Sequence, residues 1–132
     1  MLKYMLDTNI VIYIIKRRPI EILDTFNRHA GQLCISSITL AELFHGIEKS
    51  SQVKNNLRQV EDFLSRLEVL NYDYVAATHY GDIRADLERK GLIIGVNDLH
   101  IAGHARSQGL ILISNNVREF ERVEGLRLDN WV

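Results

Sequence analysis

The sequence is poor in the residues that staple or punctuate a fold. Its one cysteine, Cys34, excludes a disulfide framework and a thiolate metal cluster. Its one proline, Pro19, leaves no proline-rich linker. With no low-complexity segment and no internal repeat, residues 1–132 read as a single domain. No apolar run approaches the ~20 residues of a membrane span. The N-terminus lacks the apolar core and small-residue cleavage site of a secretory signal. A cytoplasmic protein without a membrane partner is therefore expected. A net charge of −1 gives no global attraction to nucleic acid. Acids clustered in a metal site would nevertheless hide a basic surround in that sum.

Several chemistries fail for want of their motifs. There is no GxxxxGK[ST] phosphate loop, no GxGxxG and no GxSxG elbow. Cys34 lies within an apolar run, which does not suit an exposed nucleophile. His100 and His104 stand one helical turn apart, but Ile101 occupies the position where a zincin needs glutamate. They read instead as facing nucleic acid or a dimer interface. His29, His45 and His79 read as surface or partly buried.

What is present is an ordinary globular balance, 46% apolar and 25% charged, arranged as alternating short strands and helices. Residues 3–7 read as a first strand ending on Asp7, with Thr8 or Asn9 capping a helix to Ile15. Pro19 opens a second helix that turns Ile22, Leu23 and Phe26 to one side. Leu33 to Ser36 is a short buried strand. Ser37 or Thr39 caps a helix to Lys49 with Leu40, Leu43, Phe44 and Ile47 as its stripe. A further helix spans Val53 to Leu67, followed by a strand at Val69-Leu70. Asp73 caps a helix that turns Ala76, Tyr80, Ile83 and Leu87 inward and stops at Gly91. Leu92 to Val96 fits a strand or an apolar loop. Asn97 and Asp98 start a helix ended by Gly109. Leu110 to Ile113 is the clearest buried strand, Ser114 to Arg122 a loop or short turn, and Leu126 to Leu128 an edge strand. Strands separated by helices imply βαβ units, a mostly parallel sheet and helices on both faces. Right-handed crossovers then bring Asp7, Ser36-Ser37 and Ser114 to one rim.

Ligands in open α/β sheets bind outside the carboxyl ends of the strands. Asp7, Glu42, Asp98, Asn116 and Glu119 all fall near that rim. Oxygen donors without thiolates suit Mg²⁺ or Mn²⁺. Each also has a plain reading. Asp7 suits a helix cap, and Asp98 a first-turn acid favoured by the helix dipole. Glu42 suits a solvated position off the apolar stripe of its helix. Asn116 and Glu119 suit loop residues. A receiver-like regulatory domain is the alternative from another class. It would want a pair of acids at the first strand end and a lysine after a late strand, and neither is evident.

MLDTNIVIYIIK, SSITLAELFHGIEKS, GVNDLHIAGHARSQGL and LISNNVREFERVEGLRLDNW resemble, in this order, the PIN-domain toxins of the VapC type. The last two stretches are similar to the enterobacterial branch. The resemblance implies a three-layer PIN-like α/β fold with a central sheet of four to five strands. It implies an endoribonuclease dependent on Mg²⁺ or Mn²⁺, a VapB-type antitoxin and a homodimer, with operator DNA bound only through the antitoxin. Carried over residue by residue, it makes Asp7 and Asp98 metal ligands and places Glu42 beside them. The family's fourth acid falls on Asn116, and Glu119 is the alternative carboxylate. Ser114 replaces the usual threonine. Thr8, Asn9 and Ser114 become supports for the ligands, and Arg17, Arg18, Arg84, Arg89 and Arg118 candidate RNA contacts. The branch suggests initiator tRNA cut in its anticodon loop as the substrate, with inhibited translation as the result. A catalytically weak PIN-like RNA-binding module is the remaining alternative, because Asn116 departs from the acid.

Overall fold

Short strands stop on or just before polar residues, and the computed structural model, which describes residues 1–132, shows why. Strands β1 (Tyr4–Leu6), β2 (Leu33–Ser36), β3 (Glu68–Leu70), β4 (Ile111–Ile113) and β5 (Arg127–Asp129) form one sheet in the order β3-β2-β1-β4-β5. Every pairing is parallel. The first strand of the chain is therefore the middle strand of the sheet.

The two-residue period of a strand divides the core. Tyr4, Leu6, Leu33, Ile35 and Ile113 point to one face. There they meet helices α1 (Thr8–Lys16), α2 (Glu21–Arg28), α3 (Ser37–Glu48) and α4 (Val53–Leu64) through Ile10, Ile14, Ile22, Phe26, Leu43, Val60 and Phe63. Met5, Cys34 and Leu112 point the other way, against α5 (Tyr74–Lys90), α6 (Val96–Ser107) and α7 (Val117–Phe120). The expected layered α/β architecture is present, with five strands and a wholly parallel sheet.

The local chemistry departs from the sequence reading in instructive ways. The cap of α1 is Asp7, as its plain reading allowed, rather than Thr8 or Asn9: its Oδ1 accepts from the Ile10 amide at 3.0 Å. The cap of α3 is Ser36, the last residue of β2, not Ser37 or Thr39. In both cases the strand runs straight into the helix with no linker, so the cap falls on the strand end. Phe44 leaves the expected stripe and is exposed, because Thr39, Leu43 and Ile47 already fill the inward side. Helix α4 ends at Leu64 rather than Leu67, since Leu67 lies in the turn that opens β3. Helix α2 begins at Glu21, two residues beyond Pro19, and ends at Arg28, ahead of the turn where Gly31 takes φ +84°. Residues 92–95 are loop, and α6 starts at Val96, before Asn97. Within 114–122 lies the short helix α7. The histidine pair does not converge: His104 is fully buried, with Nδ1 2.7 Å from Ser36 Oγ, while His100 pairs with the Tyr72 hydroxyl and stacks on Tyr80. His104 therefore faces the protein interior rather than a nucleic acid or a second copy.

Candidate active site at the carboxyl rim of the sheet

Order β3-β2-β1-β4-β5 runs outward from β1 in both directions, and the crevice such a reversal creates lies at the ends of β1 and β4. Asp7 follows β1 and Ser114 follows β4. Both are buried. The Ser114 hydroxyl donates to Asp7 Oδ2 and also accepts from the Asn116 amide at 2.9 Å. With Oδ1 held by the Ile10 amide, the Asp7 carboxylate has both oxygens fixed.

Glu42, on α3, is half-buried rather than solvated. Its Oε1 accepts from Thr8 Oγ1 at 2.5 Å and its Oε2 from Asn97 Nδ2 at 3.2 Å. Thr8 is the first residue of α1, and its Oγ1 lies 3.3 Å from that of buried Thr39. Asp98 is the third residue of α6, where the positive end of the helix dipole favours a carboxylate. Asn116 Nδ2 approaches its Oδ2 at 3.5 Å. Glu119 stands on α7, half-buried.

The electrostatics tie these groups together. Burial, then the charges of Asp7, Glu42 and Glu119, push the Asp98 carboxyl up to about 6. Burial also raises Asp7, with Glu42 adding to the rise, against the lowering pull of Ser114 and the Ile10 amide. None of the ion pairs of the molecule includes Asp7, Glu42, Asp98 or Glu119. Every donor on these acids is neutral: a serine, a threonine, two asparagines and the backbone amides of Asn9 and Ile10. Asp7, Glu42 and Asp98 are thus held, with Glu119 near them, and none of the four is neutralised.

That donor set fits a hard divalent cation. It is all oxygen, and a cation would relieve the repulsion that Asp98 registers. No three of the acids close into a cage of their own. A Mg²⁺ ion does not need one, because it keeps several waters and takes one or two carboxylates.

The remaining sequence candidates separate. Asn9 is exposed, and only its backbone amide reaches Asp7. Arg84 donates to the Tyr80 hydroxyl at 2.6 Å and pairs with Glu88, and Arg89 pairs with Asp86 along α5. Arg17, Arg18 and Arg118 are exposed and unpaired. Two site residues escaped the sequence: Asn97, seen only as a helix starter, and Thr39, seen only as a possible cap. Nothing in helical periodicity marks a polar residue that bonds across to another helix.

Comparison with known proteins gives this arrangement its class. The PIN domain family model matches residues 4–126. Over 132 residues, all of both chains, the sequence is 63% identical to Ribonuclease VapC2 of Haemophilus influenzae. Over 131 residues, 99% of each chain, it is 56% identical to the tRNA(fMet)-specific endonuclease VapC of Shigella flexneri. DNA-bound VapBC from Salmonella typhimurium superposes with a TM-score of 0.96 at 55% identity, covering all of both chains. VapBC2 from Rickettsia felis, bound to a promoter DNA fragment, gives 0.94 at 42% identity over 99% of this chain and 100% of that one. The chain belongs to the VapC family of PIN-domain ribonucleases.

Proposed function

We propose that the chain is the toxin of a VapBC-type toxin–antitoxin pair, a Mg²⁺- or Mn²⁺-dependent endoribonuclease that cuts initiator tRNA in its anticodon loop and so inhibits translation. The observation that carries the chemistry is the grouping of three further un-neutralised acids, Asp7, Glu42 and Glu119, around Asp98. When bound, a divalent cation supplies positive charge at the attacked phosphate and makes water a competent nucleophile at neutral pH. Asp7 and Asp98 would hold the ion directly. Glu42 and Glu119 would hold its waters or a second ion, and Asn116 would orient one of them. Ser114 fixes the Asp7 carboxylate, and Thr8 does the same for Glu42. The products carry 5′-phosphate and 3′-hydroxyl ends.

The substrate assignment rests on relatives named as tRNA(fMet)-specific endonucleases at 56% and 55% identity. An unpaired loop exposes its backbone and bases, as recognition of RNA by shape requires. Arg17, Arg18 and Arg118 are the free cations for its phosphates, and Arg84 and Arg89 would first have to leave their partners on α5.

The partner is a VapB-type antitoxin. A groove of about 240 Å³, lined by Ile12, Ile15, Leu43, Ile47 and Val60, has Glu42 at its edge. An antitoxin segment that folds on binding places apolar side chains there and an arginine or lysine against the acids. The toxin acts as a homodimer within a toxin–antitoxin hetero-oligomer in the cytoplasm and reaches operator DNA only through the antitoxin. The weaker reading, an RNA-binding module with little activity, is favoured by one observation, the neutral Asn116 beside Asp98.

Incubating the purified chain with total RNA and Mn²⁺ or Mg²⁺, then sequencing the new ends, tests the reading. A single dominant cut in the initiator tRNA anticodon loop, lost on chelation, is expected. Cuts scattered over all RNA would remove the substrate assignment, and cutting unaffected by chelation would remove the metal.

A further inference from the structure

Glu42 has more side-chain freedom to lose than Asp7 or Asp98. It is a long side chain on a helix face, and fixing such a chain costs about 1.5–2 kcal/mol of rotamer entropy. Both of its oxygens are nevertheless held, by donors from two different elements. Thr8 reaches it from α1 and is itself packed against buried Thr39. The other donor, Asn97, is exposed, and its one side-chain hydrogen bond is to Glu42 Oε2.

Resting on the ribonuclease reading above, we infer that Asn97 is a positioning residue for the metal site: its amide holds Glu42 at a set distance from Asp98. Asn97 and Asp98 are consecutive, so one helix start presents a donor to Glu42 and an acid to the ion. That helix start is itself tied down on the far side. Arg122 Nη1 donates to the carbonyls of Leu92 and Ile93, at 3.4 and 3.3 Å, in the loop that leads into α6. Asn116 reaches Asp98 from the β4 side. The Asn97–Glu42 bond completes the link from β4 through α6 to α3. An amide suits this place because it donates without cancelling charge. A lysine there would orient Glu42 equally well but compete with the cation.

Mn²⁺ binding by titration calorimetry, on the full chain and on Asn97→Ala, Glu42→Ala and the double variant, tests the assignment. Asn97→Ala weakens Mn²⁺ binding about tenfold, the scale on which supports of metal ligands act. In cleavage assays it lowers kcat while KM for RNA stays within about twofold, since no RNA contact is removed. In the Glu42→Ala background the same substitution has no further effect on Mn²⁺ affinity, because Asn97 acts through Glu42. Wild-type affinity in Asn97→Ala overturns the inference, and so does an equal loss with and without Glu42. A wild-type chain that binds no Mn²⁺ overturns the ribonuclease reading itself.

Discussion

The Ser114 hydroxyl donates to Asp7 Oδ2 across 107 residues of sequence, joining the end of β4 to the end of β1. Asp7 gives its other oxygen to the Ile10 amide. One carboxylate therefore caps a helix, closes a strand pair and faces the acid cluster.

Ser114→Ala removes the donor and leaves Asp7 free to turn. Support residues of this kind cost about 10–100-fold in metal affinity or activity, and that loss is expected in Mn²⁺ titrations and in tRNA cleavage. Asp7→Asn should reduce cleavage to background. It should not lower the melting temperature, because asparagine also caps helices and one like charge leaves the cluster. Cleavage by Asp7→Asn at the wild-type rate would remove Asp7 from the site.

The raised Asp98 and Asp7 carboxyls give a pH dependence of opposite sign to that of a salt-bridged acid. Between the ordinary value of 3.8 and about 6, the folded chain holds protons at Asp98 that the unfolded chain has released. Stability without metal should therefore fall as pH rises through that window and stay lower above it. Mg²⁺ should offset the loss where the acids are ionised. Thermal melts should show a larger upward shift on adding Mg²⁺ at pH 7.5 than at pH 5, and equal shifts at both would contradict the assignment.

Gly103 lies where α6 crosses closest to α5. A Cβ there would sit 2.9 Å from the Tyr80 backbone nitrogen and 3.1 Å from its Cα. Neither atom is the end of a flexible side chain, so Gly103→Ala must push the helices apart. A loss of about 1–3 kcal/mol is expected, read as a lower denaturant midpoint. A midpoint equal to the wild type would show that the helices separate freely.

RNA affinity should depend on salt. Each phosphate contact on a single strand contributes about 0.7 to the slope of log K against log salt. Arg118→Ala, which removes an exposed and unpaired cation beside Glu119, should reduce the slope by about one such step. Arg89→Ala, already paired with Asp86, should change it less. A slope unaltered in Arg118→Ala would place the RNA elsewhere.

Strand and helix order were legible because apolar period and turn residues are local signals. Leu110 to Ile113 and the α5 face of Ala76, Ile83 and Leu87 are examples. The cap of α5 fell on Asp73 as expected, and Asp7 took the cap that its plain reading allowed, whereas the cap of α3 moved from Ser37 or Thr39 to Ser36 because that residue both ends a strand and starts a helix. Periodicity alone left Glu42 solvated, where the fold makes it half-buried. Periodicity reports which side of α3 faces the core, and the rim is neither core nor open solvent. The bonds from Thr8 and Asn97 come from residues 34 and 55 positions away. Only the folded chain brings them together.

β1 is the middle strand of the sheet, and its neighbour β4 follows more than 100 residues later in the chain. Asp7 cannot meet Ser114, Asp98 or Glu119 while the chain is still growing through α5. On the proposed site, a nascent chain lacks the full set of acids until α7 has been made. For a protein whose proposed target belongs to the translation machinery, that order of assembly lets each molecule be completed before it can interfere with its own synthesis.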